Sequence, residues 1–428
     1  MLVKKKKSNP FLVVALGSFL LLLILLSLKG GNTKTAKVIP EITQKTNYNY
    51  LQVILNEKHF ESLKAKRDEA VSIGVLQTSD DDYVPATIRY NTEDYKADLR
   101  LKGDWTDHLK GDKWSYRIKL KNDRTIHGMR KFSVHHPGAR GYLNEWLFHK
   151  VVKDEEMMGL RYEFLEGFLH INLKKQDTAL TKAVGVYAIE ETFDNRLIEN
   201  NKRKVGVILK FTEDNIWRET AKVYQVSRST GTSIIGKLNP KYSSETKMTI
   251  TAFSLEKIMA DEALKKQFTL AKNLLNHYKN GDLKISEVFD VEMTARYTAI
   301  ANLFGGLHGL TTHNLRFFYN PITSRMEPIA FDNNSGTLLK EFKYYWNSTK
   351  DPAFMQAQIK ALEEISAPEY LEHLIAKYQT ELNGQSSSLK EEFPKNEILS
   401  IDVLKKNQEM MRNTLEYLHN TIGKNSKK

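Results

Sequence analysis

The sequence contains no cysteine among its 428 residues. This absence excludes disulfide frameworks, zinc sites with cysteine ligands, iron–sulfur clusters and thiol catalysis. Gly-x-Ser-x-Gly and His-Glu-x-x-His motifs are also missing, so the sequence gives no support to proteolysis or acyl transfer. A glycine-rich phosphate loop of the P-loop or protein-kinase type is absent as well. With 41% hydrophobic and 10% aromatic residues, the chain is globular and long enough for a large buried core.

Positive charge exceeds negative charge by 12, but the excess lies mainly at the two ends of the chain. Five lysines fall in the first 31 residues, where there is no acidic residue, and three more are Lys424, Lys427 and Lys428. Residues 32–423 therefore carry only +4 of the net charge of +12. Because the other basic residues are mixed with acidic ones and no recognition motif is present, the sequence predicts no nucleic-acid partner.

An uncharged apolar run, residues 11–28, follows the lysines at positions 4–7. As a helix it would span about 27 Å, close to the thickness of the bilayer core. A cleaved signal peptide is the alternative, but Leu28-Lys29-Gly30-Gly31 is a poor cleavage site. We therefore predict a basic cytoplasmic segment (1–10), a transmembrane signal anchor in the bilayer (11–28) and a polar linker (29–46). The positive-inside rule places the globular part outside the cytoplasm.

Hydrophobic periodicity predicts a sheet-rich first half and a helix-rich second half, an α+β fold in two lobes. Strand signals dominate from Tyr48 to about residue 135, and no internal repeat is visible. Ser254 and Asp290 are candidate caps of two long helices. The predicted strands are 95–101, 114–120, 162–173, 183–189, 205–211, 315–319 and 326–331, and the predicted helices are 143–157, 192–200, 254–279, 290–305 and most of the chain after 352.

Basic residues follow the polar faces of two adjacent predicted strands. Lys102, Arg117 and Lys119 lie on these faces, where they either remain solvated or reach anionic oxygens in a cleft. Two carboxylates, Glu190 and Glu191, end a later strand, and Lys210 ends the next one, so an ion pair across a site is possible. Alternatively, Glu191 and Asp194 simply favour the first turn of the following helix.

The predicted hairpin has Asn314 at its beginning and Asp332 at its end. Both residues can therefore lie at one edge, where an amide oxygen and a carboxylate suit Mg²⁺. The alternative is that the segment from Asp332 to Gly336 is only a turn, because its residue types all favour turns. His308 and His313 alone do not indicate zinc, since no further His or Cys lies nearby.

Several motifs in this order resemble the spore-coat-protein-H-like (CotH) kinase family over roughly residues 90–340. They are Lys-Gly-Asp-Trp (102–105), Lys-x-x-Tyr-Arg-Ile-Lys-Leu (113–120), His-Gly-Met-Arg-Lys-Phe (127–132), Gly-Val-Tyr-x-x-Glu-Glu-x-Phe-Asp (185–194), Gly-x-x-x-Lys (206–210), His-Asn-Leu-Arg-Phe-Phe-Tyr (313–319) and Pro-Ile-Ala-Phe-Asp (328–332). The resemblance implies an atypical protein-kinase-like fold and phosphate transfer from Mg²⁺-ATP to Ser or Thr hydroxyls of a protein substrate. The kinase domain would cover 47–340, with 341–428 as its helical extension.

The same resemblance assigns roles to individual residues. Asn314 and Asp332 would hold the metal, and Glu190 or Glu191 would organise the phosphates of ATP. Phosphate oxygens would be contacted by one lysine of a set of four: Lys102, Lys113, Lys119 and Lys210.

One feature departs from the family pattern, in which an Asp often stands a few residues before the Asn as catalytic base. Residues 306–313 contain no carboxylate. His308 or His313 could accept the proton, since imidazole titrates near ~6.5. Alternatively, positioning and electrostatics suffice for phosphoryl transfer without a base. The competing hypothesis is a catalytically inactive kinase-like protein of the cell envelope, because ATP is scarce outside the cytoplasm.

We expect a reporter that is active only outside the cytoplasm to be active when fused after Lys428, because the lysines at positions 4–7 should keep the N-terminus inside. A reporter that is active only in the cytoplasm, fused at the same residue, is the matched control and should be inactive. Activity of the cytoplasmic reporter alone would contradict the predicted topology.

Overall fold

A computed structural model describes residues 48–174, 179–231 and 248–425. All of them belong to one compact unit, Gln44–Lys428. Among these residues, no helix combines the length and the apolar character needed to cross a bilayer. The predicted basic segment (1–10), signal anchor (11–28) and linker (29–46) lie outside the described residues.

Seven strands of the first half form a closed barrel in the order β1-β2-β3-β4-β5-β8-β7. Parallel pairing of β1 with β7 closes it, whereas the other neighbours are antiparallel. The alternation predicted for β3 and β4 is confirmed, since Leu99 and Ile118 are fully buried while Arg100 and Arg117 lie on the other face. The strands are β1 (Tyr50–Asn56), β2 (Val84–Tyr90), β3 (Glu93–Leu101), β4 (Tyr116–Leu120), β5 (Lys131–His135), β7 (Tyr162–Asn172) and β8 (Ala179–Glu191).

A helix that the sequence reading missed, α1 (Glu57–Ile73), lies between the first two barrel strands. The Asn56 side chain caps it by accepting the His59 N–H at 2.8 Å, and Gly74 ends it with φ +99°. The prediction that strands dominate this region was wrong here. Only Leu63 and Ala70 of the helix are buried, so its hydrophobic periodicity is too weak to indicate a helix.

The second sheet has the order β10-β9-β11-β12-β6. Its centre is the predicted hairpin, which the structure confirms. The strands are β6 (Met158–Gly159), β9 (Val207–Phe211), β10 (Ile250–Ala252), β11 (Arg316–Asn320) and β12 (Arg325–Ala330). The helices that follow α1 are α2 (Leu143–Asp154), α3 (Asn195–Asn200), α4 (Asp214–Thr230), α5 (Leu255–Met259), α6 (Glu262–Asn280), α7 (Ile285–Val288), α8 (Val291–Leu303), α9 (Pro352–Ile365), α10 (Pro368–Glu392) and α11 (Ile401–Asn425).

These elements confirm the mixed α+β class, with a sheet-rich first half and a helix-rich C-terminal part. Asp290 caps α8 as predicted, by accepting the Met293 N–H at 3.0 Å. The single helix predicted from Ser254 is wrong: Ser254 has φ +57° and caps nothing with its side chain. Asp261 instead starts a second helix, α6, by accepting the N–H of Ala263 at 2.9 Å.

Helix α10 ends against the barrel at Glu392. Its carboxylate accepts the Val186 N–H of β8 at 2.5 Å and the Lys113 ammonium at 2.5 Å. Gly185 permits this approach, because a Cβ there would lie 2.3 Å from Glu392 Oε2 and the residue has φ +81°. Lys113 also donates to the Val186 carbonyl at 2.8 Å. The C-terminal helices are thus attached to the barrel through charged and backbone groups.

We expect Glu392→Ala to lower the free energy of unfolding by about 1–3 kcal/mol, the usual cost of leaving a buried hydrogen-bonding group unpaired. The affected group is the N–H of Val186, a residue that is 1% exposed. Urea denaturation of the full chain measures the change. Glu391→Ala is the matched control, because Glu391 is exposed like Glu392, whereas it is Glu392 that binds the Val186 N–H. Equal stability of the two variants would contradict the role of Glu392.

Candidate functional site

A buried ion pair lies where the barrel faces the second sheet. Lys102, just after β3, places its Nζ 2.6 Å from Glu190 Oε2 on β8, and the two residues are 5% and 2% exposed. Burial lowers the pKa of Lys102 to about 8, although the Glu190 carboxylate opposes this shift. Burial alone would raise the pKa of Glu190, but the charges of Lys102 and Arg140 hold it well below its usual range. Both groups are therefore charged at neutral pH.

Arg140 connects this pair to Asp332. Its NH1 lies 2.7 Å from Asp332 Oδ1, and its Nε lies 3.5 Å from Glu190 Oε1. Burial alone would lower the pKa of Arg140, but the negative charges of Asp332 and Glu190 raise it above its usual range. The residue ends a short turn, Pro137–Arg140, that packs against the segment after Asp332, since a Cβ on Gly141 would lie 2.0 Å from the Ser335 carbonyl. Four charges of alternating sign thus join the two sheets.

The loop after β12 holds Asp332 in a left-handed conformation, with φ +53°. Glu145 of α2, which is fully buried, fixes the next residues. Its carboxylate accepts the N–H groups of Asn333 and Ser335 at 3.2 and 3.1 Å and the Ser335 hydroxyl at 2.7 Å. The backbone that presents Asp332 is therefore positioned by a carboxylate from another element.

Asn314 and Asp332 both lie near the turn that contains His308. The Asn314 Nδ2 donates to the His308 carbonyl at 3.1 Å, and His308 Nε2 is 3.8 Å from Asp332 Oδ2. The turn packs on the Asp332 loop, because a Cβ on Gly309 would lie 2.2 Å from Asn333 Oδ1. Since its amide nitrogen is bound, Asn314 has Oδ1 as the atom that can serve as a ligand.

These donors fit a divalent cation that takes most of its ligands from water and phosphate and few from the protein. Asp332 Oδ1 is buried without a well-aligned hydrogen bond, although Arg140 is close to it. Within the described ranges, no group of three or more His, Asp or Glu side chains is arranged for a metal ion. One carboxylate and one amide oxygen suit Mg²⁺, which keeps waters and binds through phosphates, better than zinc.

Further cations line the same region. Lys210 of β9 and Arg316 of β11 are paired in register, and Arg316 NH2 lies 3.2 Å from Glu213 Oε1. The Nε atoms of Arg117 and Arg316 are buried without hydrogen-bond partners among the described residues. Buried donors without partners are costly, so these guanidinium groups are suited to anionic oxygens that enter between the sheets.

A family model described as CotH kinase protein matches residues 99–427. The chain belongs to the CotH kinase family. This confirms the resemblance, and membership suggests a possible kinase that uses ATP. No curated protein matches the chain. The matched range begins within β3 and extends through the C-terminal helices, so it covers every residue of the charged network.

Not all of the predicted site residues of this CotH-family chain come together. The structure brings six of them together: Lys102, Glu190, Asn314, Asp332, His308 and His313. Lys210 lies beside Arg316.

The other predicted residues have partners elsewhere. Lys113 is bound to Glu392, and Lys119 lies 3.2 Å from the exposed Asp80. Glu191 accepts the Arg161 backbone N–H at 3.1 Å and also pairs with its guanidinium. Neighbouring strand residues point to opposite faces, so Glu190 and Glu191 cannot both face the network. Asp194 caps α3 by accepting the Arg196 N–H at 2.9 Å.

Sequence reasoning missed Arg140, Glu145 and Glu213 as members of the site. Arg140 stands between Pro-Gly and a further glycine, a pattern that indicates an exposed turn. Glu145 lies among apolar residues of α2, where all positions from Leu143 to His149 are buried. A charged residue within an apolar helix segment can indicate a member of a site, because a charged side chain is almost never buried without a partner.

We expect Arg140→Gln to reduce the free energy of unfolding by about 3–5 kcal/mol, since it leaves the buried Glu190 and the half-buried Asp332 without their shared cation. Arg196→Gln is the control, because Arg196 pairs with Glu199 at 3.5 Å on the exposed surface and should change stability by about 0–1 kcal/mol. Guanidinium denaturation at neutral pH distinguishes them. Similar small effects in both variants would show that the network does not support the fold.

Proposed function

We propose that this CotH-family chain is a membrane-anchored kinase that transfers phosphate from Mg²⁺-ATP to Ser or Thr hydroxyls of a protein. The observation that carries the proposal is the network of Lys102, Glu190, Arg140 and Asp332, with Asn314 beside it. It joins a buried lysine–glutamate pair to the oxygen donors that suit Mg²⁺. No other cluster among the described residues combines these groups.

Each residue has a specific part in this proposal. Asn314 Oδ1 and the Asp332 carboxylate would hold Mg²⁺, which neutralises charge on the phosphates when bound. Lys102 is kept at the phosphates by Glu190, and Arg117, Lys210 and Arg316 supply further positive charge. Such an arrangement acts through positioning and electrostatic stabilisation.

The proposal is supported by the way in which the barrel and the second sheet share the groups that it needs. The barrel contributes Lys102 and Glu190, whereas the second sheet and its loops contribute Asn314 and Asp332. Phosphates bound between these groups would contact both parts at once.

A second candidate is an inactive kinase-like protein of the cell envelope, with a structural or binding role. Arg140 favours it, because this cation already neutralises Asp332 at 2.7 Å and would compete with a metal ion. An extracytoplasmic position, with the domain held to the membrane by residues 11–28, would also restrict access to ATP. Metal and nucleotide binding without phosphate transfer is the result this candidate predicts.

We expect ATP to raise the thermal stability of the chain only when Mg²⁺ is present, by about 2.7 kcal/mol at a concentration 100 times Kd. Asp332→Ala and Asn314→Ala should abolish the effect, and Lys102→Met should weaken it strongly. Lys119→Met is the matched control and should behave as wild type, because Lys119 lies next to Asp80 instead. Thermal melts of the full chain in detergent measure all five proteins.

Transfer of labelled phosphate from ATP to protein Ser or Thr distinguishes the two candidates. Transfer by the wild type that is lost in Asp332→Ala supports the kinase. Stabilisation without transfer supports the inactive protein, and equal stabilisation of wild type and both alanine variants would refute the proposed metal site.

A further inference from the structure

Four carboxylates lie in or beside the charged network, and three of them have partners among the described residues. Glu190 is bound to Lys102, and Asp332 lies next to Arg140. Both oxygens of Glu213 are occupied, one by Arg316 at 3.2 Å and the other by the Trp217 indole N–H at 3.2 Å. The fourth, Asp104, makes no side-chain hydrogen bond or ion pair to any described residue, and its side chain is exposed.

The backbone of Asp104 is held rigidly although its carboxylate is free. Gly103 forms a sharp turn with φ +109°, and a Cβ there would lie 2.4 Å from the His108 ring. The Asp104 carbonyl accepts the Leu76 N–H at 2.8 Å. On the other side, Trp105 packs edge-on against Trp217 of α4, with ring centroids 5.3 Å apart. The carboxylate is thus presented two residues after Lys102 by a fixed turn.

The surroundings of Asp104 make its carboxylate a better proton acceptor than an ordinary aspartate. Protein crowds the position even though solvent reaches the side chain, and this loss of hydration, together with the negative charges of Glu213 and Asp332, raises its pKa to about 6. Arg117 and Lys102 act in the opposite direction. A base of this pKa is ionised at neutral pH and still accepts a proton readily.

We propose that Asp104 is the catalytic residue that accepts the proton of the substrate hydroxyl, an inference that rests on the proposed kinase function. The hydroxyl O–H bond breaks as its proton moves to a carboxylate oxygen of Asp104. The hydroxyl oxygen forms the new bond to the γ-phosphorus of ATP, the bond from that phosphorus to the bridging oxygen breaks, and ADP leaves with its electron pair. Asp104 then releases the proton to solvent.

The two histidines are less suited to this step. His308 lies 3.8 Å from Asp332 Oδ2, the carboxylate proposed to hold Mg²⁺, so a proton on its ring would be repelled by the metal. His313 is half-buried, and burial lowers its pKa. Residues 306–313 lack a carboxylate, and Asp104, which follows the end of β3, supplies one instead.

The test compares Asp104→Asn, Asp104→Glu and His308→Gln in the full chain, with Asp107→Asn as matched control in the same loop. We expect Asp104→Asn to lower kcat for protein phosphorylation by about 100–10,000-fold, with the KM for ATP and the Mg²⁺-ATP stabilisation unchanged. Asp104→Glu should recover part of the activity. Asp107→Asn should stay within about three-fold of wild type, since it does not remove the base. His308→Gln should lose much less activity than Asp104→Asn.

The outcomes separate this inference from the function on which it rests. Wild-type phosphorylation that persists in Asp104→Asn overturns the role of Asp104 and leaves the kinase proposal in place. A large loss in His308→Gln, with Asp104→Asn active, assigns the base to His308. Absence of phosphorylation by the wild type overturns both. Because the Asp104 side chain contacts no polar partner within residues 48–174, 179–231 and 248–425, its substitution should not prevent folding, and retained Mg²⁺-ATP stabilisation verifies an intact site.

Discussion

Four charges of alternating sign connect the parts of this molecule: those of Lys102, Glu190 and Arg140, which are buried, and that of Asp332, which is half-buried. Each would be costly to bury alone, and the network is tolerable only when every partner is in place. The end of β3, the end of β8, the turn before Gly141 and the loop after β12 therefore depend on one another. This mutual dependence makes the site a property of the junction between barrel and sheet.

Close backbone contacts hold the Asp332 loop at this junction. A Cβ on Gly305 would lie 1.8 Å from the Thr337 carbonyl, and one on Gly141 would lie 2.0 Å from that of Ser335. Glycine is required at both positions, since both have positive φ and no room for a side chain. With the carboxylate of Glu145 on the opposite side, the loop has little freedom to move, which suits a group that must present a ligand in one geometry.

The C-terminal helices contact the elements that hold the Asp332 loop. Asn407 of α11, which is fully buried, donates to the carbonyls of Leu303 and Thr337 at 3.1 and 2.9 Å and accepts the Leu339 N–H at 2.8 Å. It thereby joins the end of α8 to the segment that follows the Asp332 loop. The last helices therefore contact both the barrel and the segment that follows the Asp332 loop. The family match extends over these helices, to residue 427.

The sequence by itself determined the α+β class, the hairpin from Asn314 to Asp332 and the CotH resemblance, because alternation, turn residues and motif order are local properties. Only the tertiary structure decided that Lys102, and not Lys113 or Lys119, pairs with Glu190, since all three alternate similarly along their strands. It also decided that Arg140 belongs to the site. Barrel closure and the packing of turns on distant loops create those contacts between residues far apart in the chain, and no local pattern records them.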